Sequence, residues 1–137
     1  MYQKNLKRYR ATQILTAEPA RLTLMLYDAV LNNMEQAAEL AEKKMFPERA
    51  EKIIRCNKIL MELLASLNFD NGGEIAANLR EIYVFLLGEL KKADLKNDAH
   101  LIRQCKAVLS EIREAWSTIT TKQTDSPRQD KTFVQSV

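Results

Sequence analysis

At 137 residues the chain is long enough to bury about two thirds of its unfolded surface in one core and too short for two ordinary domains. Hydrophobic residues make up 46% and charged residues 28%, with three Gly and three Pro, which argues against a turn-rich sheet protein and for a soluble helical one. The net charge of +3 sits in the first ten residues, where Lys4, Lys7, Arg8 and Arg10 contribute +4; the remainder carries −1 and offers no basic face for nucleic acid.

Residues 1–18 form a basic amino-terminal segment that also carries Tyr2, Leu6, Tyr9, Ile14 and Leu15. It reads as a short mobile helical piece set apart from the body. Pro19 suits a first helical position, because its missing N–H would be unbonded there anyway. From it the spacing predicts a helix over about 19–44, with Leu22, Leu26, Ala29 or Val30, Met34, Ala37 and Ala41 inward. Pro47 opens a second helix, about 47–69, whose inward residues are Ile53, Cys56, Leu60, Leu63 or Leu64 and Leu67. The Asp70-Asn-Gly-Gly73 stretch breaks the pattern, and Asn71 is placed to cap a third helix over about 72–94 while Glu74 reaches back to it. Its inward stripe is Ile75, Leu79, Ile82, Leu86, Leu90 and Ala93. Asp98 caps a fourth helix, about 98–120, with Leu101, Cys105, Val108, Ile112, Ala115 and Ile119 inward and Ile102, Leu109 and Trp116 on an adjoining row.

Residues 122–137 are polar apart from Phe133 and Val134 and read as a disordered tail. Matched helix lengths and short connections over 19–121 predict an all-α fold, an antiparallel up-and-down four-helix bundle. The longest apolar run, Leu24 to Tyr27, is far short of a membrane span, and no signal peptide is visible. The expected location is the cytoplasm, without stable membrane insertion.

Catalytic parts are missing. The only histidine, His100, has Asn97 three residues before it, so the Glu-x-x-His element of a bundle metal site is absent, and no metal or cofactor is expected. Cys105 lies five residues on, about 140° around the helix, which keeps it from meeting His100. Cys56 and Cys105 fall on apolar stripes and read as buried free thiols. The chain is therefore read as a non-enzyme. The catalytic alternative is a phosphorelay domain using His100, although Leu101-Ile-Arg-Gln-Cys105 lacks the small residue that gives a phosphoryl donor access.

Apolar surface exceeds what four rods need. Each helix of a bundle needs a stripe of about 100°, yet between Leu22 and Leu31 only Thr23, Asp28 and Ala29 interrupt the apolar residues. With Leu22, Leu26 and Val30 inward, Leu24, Tyr27 and Leu31 form a second row that something must cover. The third helix repeats the excess with Tyr83, Val84, Phe85 and Leu87. Two covers stay open for that row, the chain's own amino-terminal segment or a foreign amphipathic helix; Leu22, Leu26 and Tyr83 read as packing of a thick core, and Leu24, Tyr27 and Leu31 as contact residues. A general helical adaptor that pairs through the second row, as a weak homodimer rather than a monomer, is the rival binding reading.

Three stretches give the pattern a family likeness: Leu15-Thr-Ala-Glu-Pro19 running into Leu22-Thr-Leu-Met-Leu-Tyr-Asp28, then Gly72-Gly-Glu-Ile-Ala-Ala-Asn-Leu79 with Tyr83, and Arg113-Glu-Ala-Trp116. In order and spacing they resemble the flagellar secretion chaperones, the FliS family, over roughly Tyr9 to Ile119. Glu18 departs from the Ser or Thr usual before the proline, and Ala29 from a common glycine. The resemblance implies a chaperone that holds the carboxy-terminal segment of flagellin, prevents premature polymerisation and presents it to the flagellar export gate. It also implies that the amino-terminal segment acts as a lid over the client groove. The resemblance and the second apolar row together point to Tyr9, Leu15, Leu22, Leu24, Met25, Leu26, Tyr27, Leu31 and Tyr83 as partner-binding residues.

Overall fold

Four helices fill residues 19–125, the part of the chain that the computed structural model describes, with side chains placed over 21–118. They are α1 (Pro19–Glu42), α2 (Phe46–Ala65), α3 (Phe69–Lys96) and α4 (Ala99–Asp125). The expected lid over 1–18 and most of the expected tail lie outside the described residues. Residues 122–125 continue α4 rather than opening the tail, because no breaker occurs before Pro127, which disfavours helix at Ser126.

Local chemistry sets the ends. Lys44 takes a left-handed turn (φ 58°) after α1, and the Met45 N–H closes back on the Leu40 carbonyl at 2.9 Å. Pro47 then sits in the first turn of α2. The cap of α3 is Asn68, not Asn71: its extended backbone lets Oδ1 accept from the Asp70 and Asn71 N–H groups, both at 3.1 Å. Gly73 then breaks the helix from within, at φ 51° and ψ −121°, a conformation that side-chain-bearing residues rarely adopt. Asn97 ends α3 in the left-handed region, and Asp98 caps α4 by accepting from the Leu101 N–H at 3.0 Å.

Cross-helix pairs give the topology. Asp28 meets Arg113 while Glu42 meets Arg103, so α1 and α4 run antiparallel. Arg49 near the start of α2 meets Asp94 near the end of α3, so those two are antiparallel as well. Tyr27 meets Tyr83 and Ala41 meets Asn97, which sets α1 parallel to α3 across the bundle. The result is an up-and-down ring in which α1 packs closely on α2 and α4, and α3 packs more thinly on the same two neighbours.

The core runs through Tyr27, Val30, Met34, Ala37, Ala38 and Ala41 of α1, Ile53, Cys56, Leu60 and Leu63 of α2, Tyr83, Leu86, Leu90 and Ala93 of α3, and Ile102, Cys105 and Leu109 of α4. The expected stripe of α2 is the observed one up to Leu63. On the other three helices it holds in part, with Val30, Met34, Ala37 and Ala41 of α1, Leu86, Leu90 and Ala93 of α3 and Cys105 of α4 buried as expected. Leu22 is half-buried, Leu26, Leu79, Ile82, Leu101, Ile112 and Trp116 pack against the core partly buried, Ile75, Val108 and Ala115 are exposed, and Ile102 and Leu109 of the adjoining row are fully buried in α4. Each of these helices carries two adjacent apolar rows, and the neighbours choose between them.

One end of the ring is clamped by Arg49, nearly buried under the ring of Phe46 at 5.6 Å. Its Nε donates to Asp94 Oδ1 at 3.0 Å and its Nη1 to Asn97 Oδ1 at 2.7 Å. Asn97 Nδ2 in turn donates to the Ala41 carbonyl at 3.0 Å, so one arginine and one asparagine join three helices.

The α1/α4 seam is ionic. Asp28, Glu35 and Glu42 recur at heptad spacing and meet Arg113, Lys106 and Arg103. Hydrogen bonds from Arg103, with Lys106 beside it, hold the Glu35 carboxyl below its ordinary 4.5. A carboxyl depressed in the folded state adds stability above its unfolded value and loses it as pH falls through the folded one. Glu35→Gln is therefore expected to lower the thermal midpoint at neutral pH, and the gap from the parent should narrow as pH falls through the carboxyl's depressed range. Thermal melts across that range check it, and a gap that stays constant on acidification refutes it.

Candidate functional site

The three sequence stretches converge. The Tyr27 hydroxyl of α1 hydrogen-bonds the Tyr83 hydroxyl of α3 deep in the core, and the Trp116 side chain of α4 hydrogen-bonds Tyr27 as well. At the surface beside them Asp28 of the first stretch takes a forked contact from Arg113 of the third, at 2.9 and 3.3 Å. Burial pushes both phenols up, so they stay neutral and act as hydrogen-bonding ties rather than as acid or base.

Tyr27 is fully buried, which corrects its expected place in an outward row. A tyrosine can turn inward when its hydroxyl finds a partner there, and Tyr83 supplies one. Tyr83 is likewise part of the core. Of the other residues singled out, Leu24 and Leu31 are half-buried on the flank of α1 toward α4, Leu22 and Leu26 half-buried on the flank toward α2, and Met25 exposed between them. Tyr9 and Leu15 lie outside the described residues.

The unpartnered apolar surface centres on α3. Ile54 and Met61 of α2 and Ile75, Val84, Phe85 and Leu95 of α3 are each at least half exposed. Successive helix residues step by about 100°, so Asp94, paired with Arg49, marks the α2 side of α3, where Val84 and Leu95 also fall. Glu89, whose charge reaches Cys105 of α4, marks the other side, with Ile75, Ile82 and Phe85. Because α4 lies on the Asp28–Glu35–Glu42 flank of α1, the ring has a single hand. That hand puts Ile54, Asn57, Met61 and Leu64 on the flank of α2 next to α3. On α4, Val108 and Ala115 lie opposite the basic residues that face α1, hence toward α3. Exposed apolar residues thus flank α3 on both sides, where packing is thinnest, while α1/α4 is closed by charge.

Catalytic groups do not gather here. His100 is exposed in the first turn of α4. Cys56 and Cys105 are free and buried, and burial pushes their thiols up to about 12 and about 11, which leaves almost no thiolate at neutral pH. Among the described residues no three His, Cys, Asp or Glu side chains gather as a metal site, and no helix is long and apolar enough to cross a membrane.

Known proteins are similar in sequence and fold. Residues 1–123 match a family described as flagellar protein FliS. The flagellar secretion chaperone FliS of Salmonella typhimurium is 34% identical over 110 residues, which covers 80% of this chain and 82% of that protein. FliSB of Pseudomonas aeruginosa is 30% identical over 120 residues, 85% of this chain and 95% of the relative. A crystal structure of a flagellar chaperone from bacteria superposes with a TM-score of 0.73, covering 89% of this chain and 99% of the other at 17% identity, which shows the fold.

Proposed function

Since the chain belongs to the FliS family of flagellar proteins, we propose that it is a cytoplasmic export chaperone that binds the carboxy-terminal segment of flagellin, blocks premature polymerisation and passes the client to the flagellar export gate. The observation that carries this reading is the apolar surface left open on both sides of α3. Exposed patches of this kind mark contact sites. A flagellin end built to pack against filament neighbours has no partner for its apolar face before assembly, and grooves along a bundle give it one. A segment that wraps such a surface buries on the order of 2,000 Å², enough to offset the roughly 2 to 5 kcal/mol that ordering it costs.

In this proposal Leu22, Leu24, Met25, Leu26 and Leu31 extend the contact surface onto α1, joined by Tyr9 and Leu15 of the amino-terminal segment. Tyr27 and Tyr83 act from behind it by fixing α1 against α3. The work is binding, not catalysis: the thiols and phenols that could react are buried and neutral. A pull-down should retain intact flagellin and lose flagellin that lacks its last several dozen residues. Equal capture of the two would refute the assigned client segment.

A further inference from the structure

Asn57 occupies the middle of α2 on the flank next to α3. Its Oδ1 is buried and has no hydrogen-bond partner among the described residues. Buried carbonyl oxygens are nearly always paired, and an unpaired one destabilises the free protein. Asparagine is also a weaker helix former than leucine, which has a similar size. Two disfavours at one position call for a compensating role.

The surroundings define that role. Ile54 and Met61, three residues before and four after Asn57, are exposed, and so is Val84 on the α2 side of α3. Lys58, Arg80 and Lys91 stand exposed around them, and none of the three forms an ion pair with a described residue. A carboxamide offers a donor and an acceptor side by side and turns easily about its last torsion. It therefore matches one residue of an extended chain, whose N–H and C=O point to the same side and are both free. A helical segment has already used those groups internally.

We propose that Asn57 reads the backbone of the bound client: its carboxamide pairs with the N–H and C=O of one residue in an extended, apolar stretch of the flagellin segment, flanked by acidic residues that meet the basic rim. This rests on the flagellin reading above. Its test compares the full chain with Asn57→Leu and with the pair Arg80→Glu/Lys91→Glu, by thermal unfolding and by titration with the flagellin carboxy-terminal segment. Asn57→Leu should melt at or above the parent's midpoint and bind about tenfold more weakly or worse. The charge-reversed pair should weaken binding more at low salt than at high salt. Parent-like binding by Asn57→Leu, or a clear fall in its midpoint, overturns the role of Asn57; unchanged salt dependence in the pair overturns the acidic flank. If the parent itself fails to bind the segment, the flagellin reading is what has failed.

Discussion

Met61→Asp combined with Val84→Asp is expected to leave the bundle folded and to weaken flagellin binding by about 2 to 4 kcal/mol, on the order of 30- to 1,000-fold in Kd. Both side chains are at least half exposed in the free protein, so carboxylates placed there stay hydrated and perturb the fold little. In the complex the same carboxylates would be stripped of water against an apolar client with nothing built to pair them. Binding is followed by titration calorimetry and folding by circular dichroism. Near-parental affinity in the folded double variant would remove the α2/α3 surface from the client site. A parallel loss of helicity would instead show that these positions support the bundle.

Removal of the Tyr83 ring is expected to have the largest effect on stability. Tyr83→Ala deletes a fully packed aromatic from the helix with the thinnest contacts and should cost about 3 to 5 kcal/mol. Tyr83→Phe keeps the ring and removes only the hydroxyl that meets Tyr27, for about 1 to 3 kcal/mol. Tyr27→Phe should cost more than Tyr83→Phe, because it strands both the Tyr83 hydroxyl and the Trp116 indole. The double phenylalanine variant should lose less than the sum of the singles, since each single leaves an unpaired buried group that the pair eliminates in part. Thermal unfolding of the four variants checks the order. Strict additivity, or a Tyr83→Phe midpoint equal to the parent's, would show that the hydroxyl contact contributes nothing.

The same cluster shows where sequence reading stops. Tyr27, Tyr83 and Trp116 each stand out in their own stretch, yet nothing local says that they touch, because 56 residues separate the two tyrosines. The ionic seam was visible in principle, as acids at 28, 35 and 42 repeat every seven residues, but its partners lie on α4 and no spacing within α1 reveals them. Asn57 gave no signal at all: one asparagine on an amphipathic helix reads as surface until its oxygen is seen buried and unpaired.

By itself the sequence determined the number of helices, their approximate ends, the buried free cysteines and the family, because periodicity, proline, glycine and capping residues act over a few positions. On α2 it also determined the inner face as far as Leu63, where Ile53, Cys56, Leu60 and Leu63 are buried as their spacing predicts. Tertiary structure alone decided which of the two rows of α4 lies deepest, the inward turn of Tyr27 and the place of the open apolar surface around α3. Where a helix carries two neighbouring greasy rows, burial of either satisfies its own chain equally well. The choice then falls to whichever row finds complementary shape and hydrogen-bond partners on the helices beside it.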